Sequence, residues 1–210
     1  ASFSIDLEHI GQLKVSHQDL DNKQKKQLFI ACFAALVATS FGFILRAFSL
    51  GDWGKQFALD NAQLGEIFGA GLWPFAISMI IFSLFVDKIG YKKSMLMALI
   101  CHISSAIITI MAQGYWSLYA GAFICALGNG IVEAVINPVT ASMYSKEKTK
   151  YLNILHAGWP AGFVIAGLMS LMLNSSGGNW QVRIAMIALP TAVYAFFMMK
   201  SRFPVDERVR

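Results

Sequence analysis

Charge is what this sequence has least of: Asp, Glu, Lys and Arg make up 14% of its 210 residues, against about one quarter in a typical soluble domain. With 56% hydrophobic residues and a mean hydropathy of +0.55, that scarcity argues against an ordinary cytosolic enzyme, a disordered chain or a nucleic-acid binder. Cysteine is sparse too. Cys32, Cys101 and Cys125 lie in separate apolar runs with no paired spacing, which excludes a disulfide framework and a zinc site. No GxxxxGK[ST] loop is present to drive a nucleotide-powered pump, and no HExxH or other metal-ligand spacing occurs. No Ser–His–Asp arrangement can be drawn from the spacing, so nothing implies an enzyme, a cofactor or a metal. The alternating strands of a membrane barrel are also missing.

Long apolar runs are what the sequence has instead. Crossing ~30 Å of hydrocarbon takes about 20 helical residues, and six stretches qualify: 27–50, 62–86, 94–112, 115–144, 152–174 and 182–200. They predict an all-α membrane protein with a polar tail at 1–26, a six-helix bundle over 27–200 and the start of a loop or tail at 201–210. Twenty-six largely polar residues precede the first run, and no small-residue cleavage site follows it, which is unlike a signal peptide.

Positive charge orients the bundle. Lys14, Lys23, Lys25 and Lys26 precede the first pass, and Lys88, Lys92 and Lys93 separate the second from the third. Lys146, Lys148 and Lys150 separate the fourth from the fifth, and Lys200, Arg202, Arg208 and Arg210 follow the sixth. Only Lys55 and Arg183 fall on the other side. By the positive-inside rule both termini are expected in the cytoplasm. Gly65/Gly69 and Gly158/Gly162 are small-xxx-small pairs where helices are expected to touch. Pro138, Pro160 and Pro190 each predict a kink or break, and such helices commonly surround the substrate in transporters.

Charged groups inside a span cost about 2.5–3.5 kcal/mol on insertion scales and are functional candidates by default. Glu133 lies about 11 residues, or ~17 Å, from one end of the fourth pass, with Asn137 four residues on and on the same helix face. Glu133 either binds substrate, carries a proton or does both, or is a protonated or paired residue tying helices together. Arg46, in the first pass, either binds an anionic group, pairs with Glu133 or Asp52, or reaches towards the outer water. His156, followed by Gly158, Trp159 and Pro160, either relays protons, binds a hydroxylated ligand or bonds a carbonyl freed by Pro160. Trp73 is equally suited to stacking on a sugar ring and to anchoring at the interface. His102, with no polar neighbourhood visible in the sequence, reads as structural.

The segment Ser83-Leu-Phe-Val-Asp87-Lys88-Ile-Gly90-Tyr-Lys92-Lys93 resembles the loop signature of the major facilitator superfamily, roughly G-x-L-A-D-x-x-G-R-[KR]. The match holds at Asp87, Gly90 and the basic residues Lys92 and Lys93; Ser83 and Tyr91 depart from it. The resemblance implies a major-facilitator-type half-bundle in which this loop is a gating latch, an acid at a helix terminus between basic groups. A narrower resemblance joins Glu133-Ala-Val-Ile-Asn137-Pro138 and the Leu152-Asn153 pair to the fucose–proton symporter family. It implies that Glu133 is linked to proton and sugar, and that His156 stands near a polar sugar-binding position. Leu155 to Gly162 resembles a bacterial branch of the superfamily, which implies a bacterial inner (plasma) membrane. The symporters carry an acid in pass one where this chain has Arg46 or Ala47, and an arginine suits a carboxylate or phosphate better than a neutral sugar.

Transporters of this kind enclose a site between two six-pass halves. The chain is therefore expected to be half of a secondary-active transporter for a sugar or small organic anion, in contact with lipid, solute and a second six-helix half. That half would be the same chain beyond 210, a second copy or another subunit. The alternative is a transporter-like subunit serving as a structural component of a larger membrane complex.

Overall fold

The computed structural model describes residues 20–204; residues 1–19 of the expected tail and 205–210 lie outside them. Six helical passes long and apolar enough to cross a membrane are present. The first, α1 (Asn22–Phe57), spans 36 residues or ~54 Å, well beyond the hydrocarbon thickness. It starts where the apolar run does not, because Asp21 caps it. Gln24 N donates to Asp21 Oδ1 at 2.7 Å, and Asp21 N donates to Gln24 Oε1 at 3.2 Å.

The second pass is interrupted: α2 (Asn61–Gly69) and α3 (Trp73–Ile89) are separated by a turn. Pro74 has no N–H for the carbonyl of Ala70, and Gly71 and Leu72 instead close back on Phe68 O and Gly69 O at 2.9 Å. The third, fourth and fifth passes are α4 (Tyr91–Ile110), α5 (Tyr115–Met143) and α6 (Lys148–Ser175). The last is divided into α7 (Trp180–Ala185) and α8 (Ala188–Lys200).

Of the three prolines expected to distort helices, Pro138 and Pro160 lie inside α5 and α6, which continue through them. Spanning helices tolerate proline where neighbouring helices hold the chain. Pro190 does coincide with a break. It cannot donate to the carbonyl of Met186, which accepts from Leu189 N at 3.1 Å instead.

α1 and α5 are the inner helices. Their most apolar windows are 72% and 67% buried, against 22% for the second pass and 28% for α6. α1 packs on α5, α6 and α8, and α5 packs on α3 and α4. One core cluster joins Leu20, Leu28 and Val135 to Tyr194 and Phe203, so both described ends of the chain sit at one end of the bundle; a second cluster around Phe41, Trp53 and Trp180 fills the other. Ile80, Leu84, Leu168 and Met172 stay exposed on α3 and α6, an apolar surface suited to lipid or another bundle.

The glycines divide by neighbour rather than by motif. Gly158 lies against the Phe33 ring, where an added Cβ would sit 2.8 Å away, and Gly162 abuts Ser40 and Val37, so this pair does bring α6 onto α1. Gly65 and Gly69 meet nothing within 4 Å, because that face of α2 is open. The tightest approach to another helix's backbone falls at a glycine outside both pairs: a Cβ on Gly130 would run into Phe75 O and Met79 N, backbone atoms of α3. Gly130→Ala should therefore destabilise the protein by about 1–3 kcal/mol, while Gly65→Ala should be neutral or slightly stabilising. Thermal unfolding of the two purified variants checks this, and equal behaviour would refute the packing argument.

Candidate functional site

Three of the sequence-predicted residues come together in one hydrogen-bonded chain. On α5, Asn137 Nδ2 donates to Glu133 Oε2 at 3.1 Å and to the Glu133 carbonyl at 3.0 Å. Across from them on α6, His156 Nε2 lies 2.9 Å from Asn137 Oδ1. An amide oxygen only accepts, so Nε2 carries the hydrogen in this arrangement and Nδ1 is left for another partner. His156 thus bonds Asn137, not a carbonyl freed by Pro160. Glu133 and Asn137 are half-buried and His156 is exposed, which puts all three on an open face of the bundle. Glu133 is ten residues from the α5 end at Met143, or ~15 Å along the axis.

Aromatic rings border this chain on both sides. Towards the end where Leu20 and Phe203 lie, Tyr144 stacks on Tyr151 at 3.5 Å, and Phe29 meets both edge-on. In the opposite direction, Trp159 packs on Phe163 at 5.2 Å and on Phe43 at 6.5 Å, and Phe43 meets Phe68 at 5.0 Å. Trp159 keeps 39% of its surface open. The arrangement offers a carboxylate, an amide and an imidazole between two apolar, π-faced walls, which suits a small ring or chain bearing polar ends.

Arg46 does not join this group. It is 6% exposed and points between α1, α4 and α5. One nitrogen, NH1, donates to Gly42 O at 2.9 Å and reaches Cys125 Sγ at 3.4 Å; the other, NH2, donates to Ser105 Oγ at 2.5 Å, Thr109 Oγ1 at 3.2 Å and Gly121 O at 3.4 Å. Neither expected carboxylate pairs with it. Gly121 and Cys125 are 12 and 8 residues before Glu133 on α5, so the two charges stand ~12–18 Å apart along that axis. Asp52 instead accepts from Arg183 at 2.6 Å, in a site where Arg183 also bonds Phe48 O, Ser49 and Asn174.

Trp73 also stands apart, edge-on to Phe123 at 5.3 Å and 49% exposed. It borders a groove with Tyr115 and Glu66, whose Oε2 accepts from Tyr115 O–H at 2.6 Å. At the opposite end of α3, Gly90 takes φ 90° and is at once the C-terminal cap of α3 and the N-terminal cap of α4. That left-handed value is one L side chains rarely adopt, which gives the glycine of the loop signature its physical reason. Asp87 is half-buried and engaged, Lys92 and Lys93 are exposed, and together with Phe203 they line a cleft of about 260 Å³.

His102 reads as structural in the sequence, but its polar partners were not visible there. His102 is fully buried, with Nδ1 2.9 Å from Tyr194 O–H and Nε2 2.9 Å from Asn129 Oδ1. Asn129 accepts from Nε2–H, and Nδ1 accepts from the tyrosine, so the chain ties α4, α5 and α8. Asn129, Glu133 and Asn137 are spaced by four, a polar stripe that was present in the sequence. The stripe drifts around the helix, so its first member turns inward and the other two face the opening.

Several relatives match the chain at low identity. The chain is 24% identical over 158 residues to a gentisate transporter of Corynebacterium glutamicum, covering 74% of this chain and 36% of that protein. It is 25% identical over 180 residues to a cis,cis-muconate transport protein of Acinetobacter baylyi, covering 83% and 43%. To a putative niacin/nicotinamide transporter of Bacillus subtilis it is 24% identical over 183 residues, covering 85% and 44%. The chain thus spans less than half the length of these relatives. Among solved structures, a peptide transporter POT superposes with a TM-score of 0.67 at 18% identity, covering 94% of this chain and 42% of that one. The tetrameric PepTSo2 structure superposes with a TM-score of 0.68 at 18% identity, covering 84% and 41%. A family model described as Major Facilitator Superfamily matches residues 28–210, and with the six passes and the Gly90 loop already in place, the chain belongs to that superfamily.

Proposed function

We propose that this chain forms one six-helix half of a secondary-active transporter for a small organic acid, and that Glu133, Asn137 and His156 bind the solute and couple it to a proton. The observation that carries the reading is the hydrogen-bonded chain on the open face of α5 and α6. An ionisable residue is costly inside a span and is kept where it does work. Asp52, Glu66 and Asp87 each lie within six residues of a helix end, whereas Glu133 is well inside α5.

An acid is favoured over a neutral sugar on chemical grounds. Gentisate and muconate, the solutes named for two relatives, are carboxylates. A carboxylate can settle beside Glu133 only if a proton accompanies it, since two like charges at close range cannot both persist. Asn137 holds the Glu133 carboxyl and the His156 imidazole in one fixed relation, so a proton and a solute carboxylate share one polar strip. The rings of Trp159, Phe43 and Tyr151 take the apolar body. The resemblance to the fucose–proton symporters at Glu133 and Asn137 supports the coupling role, while Arg46 in place of their acid argues against their substrate. A second half, whether supplied by the same polypeptide or by a partner, covers the face opposite and rocks against this one. The Asp87 loop, with Lys92 and Lys93, latches the cytoplasmic side.

Uptake of gentisate, muconate and a hexose by vesicles containing the intact protein tests this reading. Glu133→Gln is expected to lose proton-driven accumulation at least tenfold while keeping solute exchange. His156→Ala is expected to raise the half-saturating concentration about tenfold, as for one lost hydrogen bond to a charged group. If both variants transported and bound as the parent does, the site assignment would be wrong.

The orientation follows from the charge bias, with Lys88, Lys92, Lys93, Lys146, Lys148 and Lys150 facing the cytoplasm of a bacterial inner membrane. A membrane-impermeant thiol reagent added to intact cells should label Ser176→Cys, between α6 and α7, and leave Ser145→Cys, between α5 and α6, unmodified. Labelling in the reverse pattern would invert the topology.

A further inference from the structure

A small cavity of about 20 Å³ lies between α1, α2 and α5, walled by Phe43, Ile67 and Phe68 and touched by three polar side chains, Arg46, Trp53 and Asn129. Two of these carry a donor that nothing satisfies. Arg46 Nε and Trp53 Nε1 are both buried without a hydrogen-bond partner, on residues that are 6% and 0% exposed. Asn129 gives its Oδ1 to His102. Every partner that Arg46 does have is neutral: three hydroxyl or carbonyl oxygens on α4 and α5, a thiol, and a carbonyl of its own helix. Among the described residues no carboxylate forms an ion pair with it; the ion pairs are Arg183–Asp52 and Lys150–Glu147. A guanidinium cannot escape the problem by losing its proton, so it stands as an uncompensated positive charge inside a low-dielectric bundle.

We infer that this cavity binds one small monovalent anionic group, held by Arg46 Nε–H and Trp53 Nε1–H. Three features fit that occupant. The unsatisfied groups are both N–H donors, so the missing partner is an acceptor. The volume admits one compact group, since about 10–15 Å³ suffices for a water-sized sphere. The local charge is positive, which a water molecule would leave uncompensated and an anion would neutralise. The apolar walls leave no room for a sugar ring. The site is separate from the Glu133–Asn137–His156 strip, and the inference does not rest on the transport reading. The group is either a halide or the carboxylate end of an organic acid reaching in from the open face.

The test is the thermal unfolding of the intact protein, purified in detergent and titrated with sodium chloride or sodium formate in methanesulfonate buffer of constant ionic strength. A ligand of the native state raises the unfolding temperature saturably. Trp53→Phe keeps the ring but removes the donor, and should raise the half-saturating concentration roughly tenfold, as for one hydrogen bond to a charged group. Arg46→Gln should abolish the effect; should it fail to fold, Trp53→Phe alone decides. Saturation by chloride only identifies an inorganic ion, and saturation by formate, competing with chloride, identifies a carboxylate end. A flat response to both salts, or a response that Trp53→Phe leaves unchanged, would overturn the inference.

Discussion

The constraint on which everything else depends is that a polar side chain between the ends of these helices must find its answer inside the bundle. Hydrocarbon offers no hydrogen bonds, so each such group is either paired or faces a space where something polar arrives. His102 shows the first solution, with both ring nitrogens taken by Tyr194 and Asn129. Arg183 shows the same solution near a helix end, where Asp52 supplies the opposite charge. Glu133, Asn137 and His156 show the second: they bond one another in a chain on a face where His156 is exposed and the other two are half-buried. A bundle that can bury His102 completely has the means to bury a histidine. That it leaves His156 exposed on a face lined with aromatic rings is what separates a candidate site from a structural contact.

The architecture follows from which helices can afford small residues. α1 and α5 carry Gly42, Gly121, Gly128 and Gly130, and all four would place a Cβ into a neighbour at 2.8 Å or less. Without those side chains, α3, α4 and α6 close onto the inner pair and dispersion contacts replace the hydrophobic drive that lipid does not supply. The outer helices keep large aliphatic residues on the far side, where they meet an apolar surrounding. The asymmetry between inner and outer passes therefore results from side-chain size as much as from hydropathy.

Much of this was legible in the sequence, and the reasons differ from residue to residue. The six passes were, because a run of about 20 apolar residues has few other readings. The Glu133–Asn137 contact was, because a spacing of four fixes a shared helix face. The Asn137–His156 bond was not, since it depends on how α6 lies across α5. The break between α2 and α3 was signalled by Gly69, Gly71 and Pro74 together, a combination that a continuous hydropathy window passes over. Arg46 could not be read at all. Its partners Ser105, Thr109, Gly121 and Cys125 are ordinary small residues scattered over two other passes, and none carries the charge that a search for an ion pair would look for. The same blindness made Gly65 and Gly130 look unequal in the wrong direction: motif spacing favoured the first, and only the neighbour's backbone identified the second.

The separation of Arg46 from Glu133 has a consequence for the electrostatics of the open face. Had the two paired, the strip would be neutral and its polar groups would already be spent on each other. Instead the guanidinium is locked behind α5 by groups on α1, α4 and α5, and the face itself presents a carboxyl with an amide and an imidazole. On the transport reading proposed above, such a strip favours a neutral or protonated solute, because an anion beside a carboxylate needs a proton between them. The Arg46 charge is answered locally instead, by the hydroxyl and carbonyl oxygens of α1, α4 and α5 and, in the inference above, by an anion in the adjoining cavity. Arg46 on α1 and Glu133 on α5 are thus held apart, and neither cancels the other: the guanidinium is answered inside the bundle, and the carboxyl stays on the open face with its amide and imidazole neighbours.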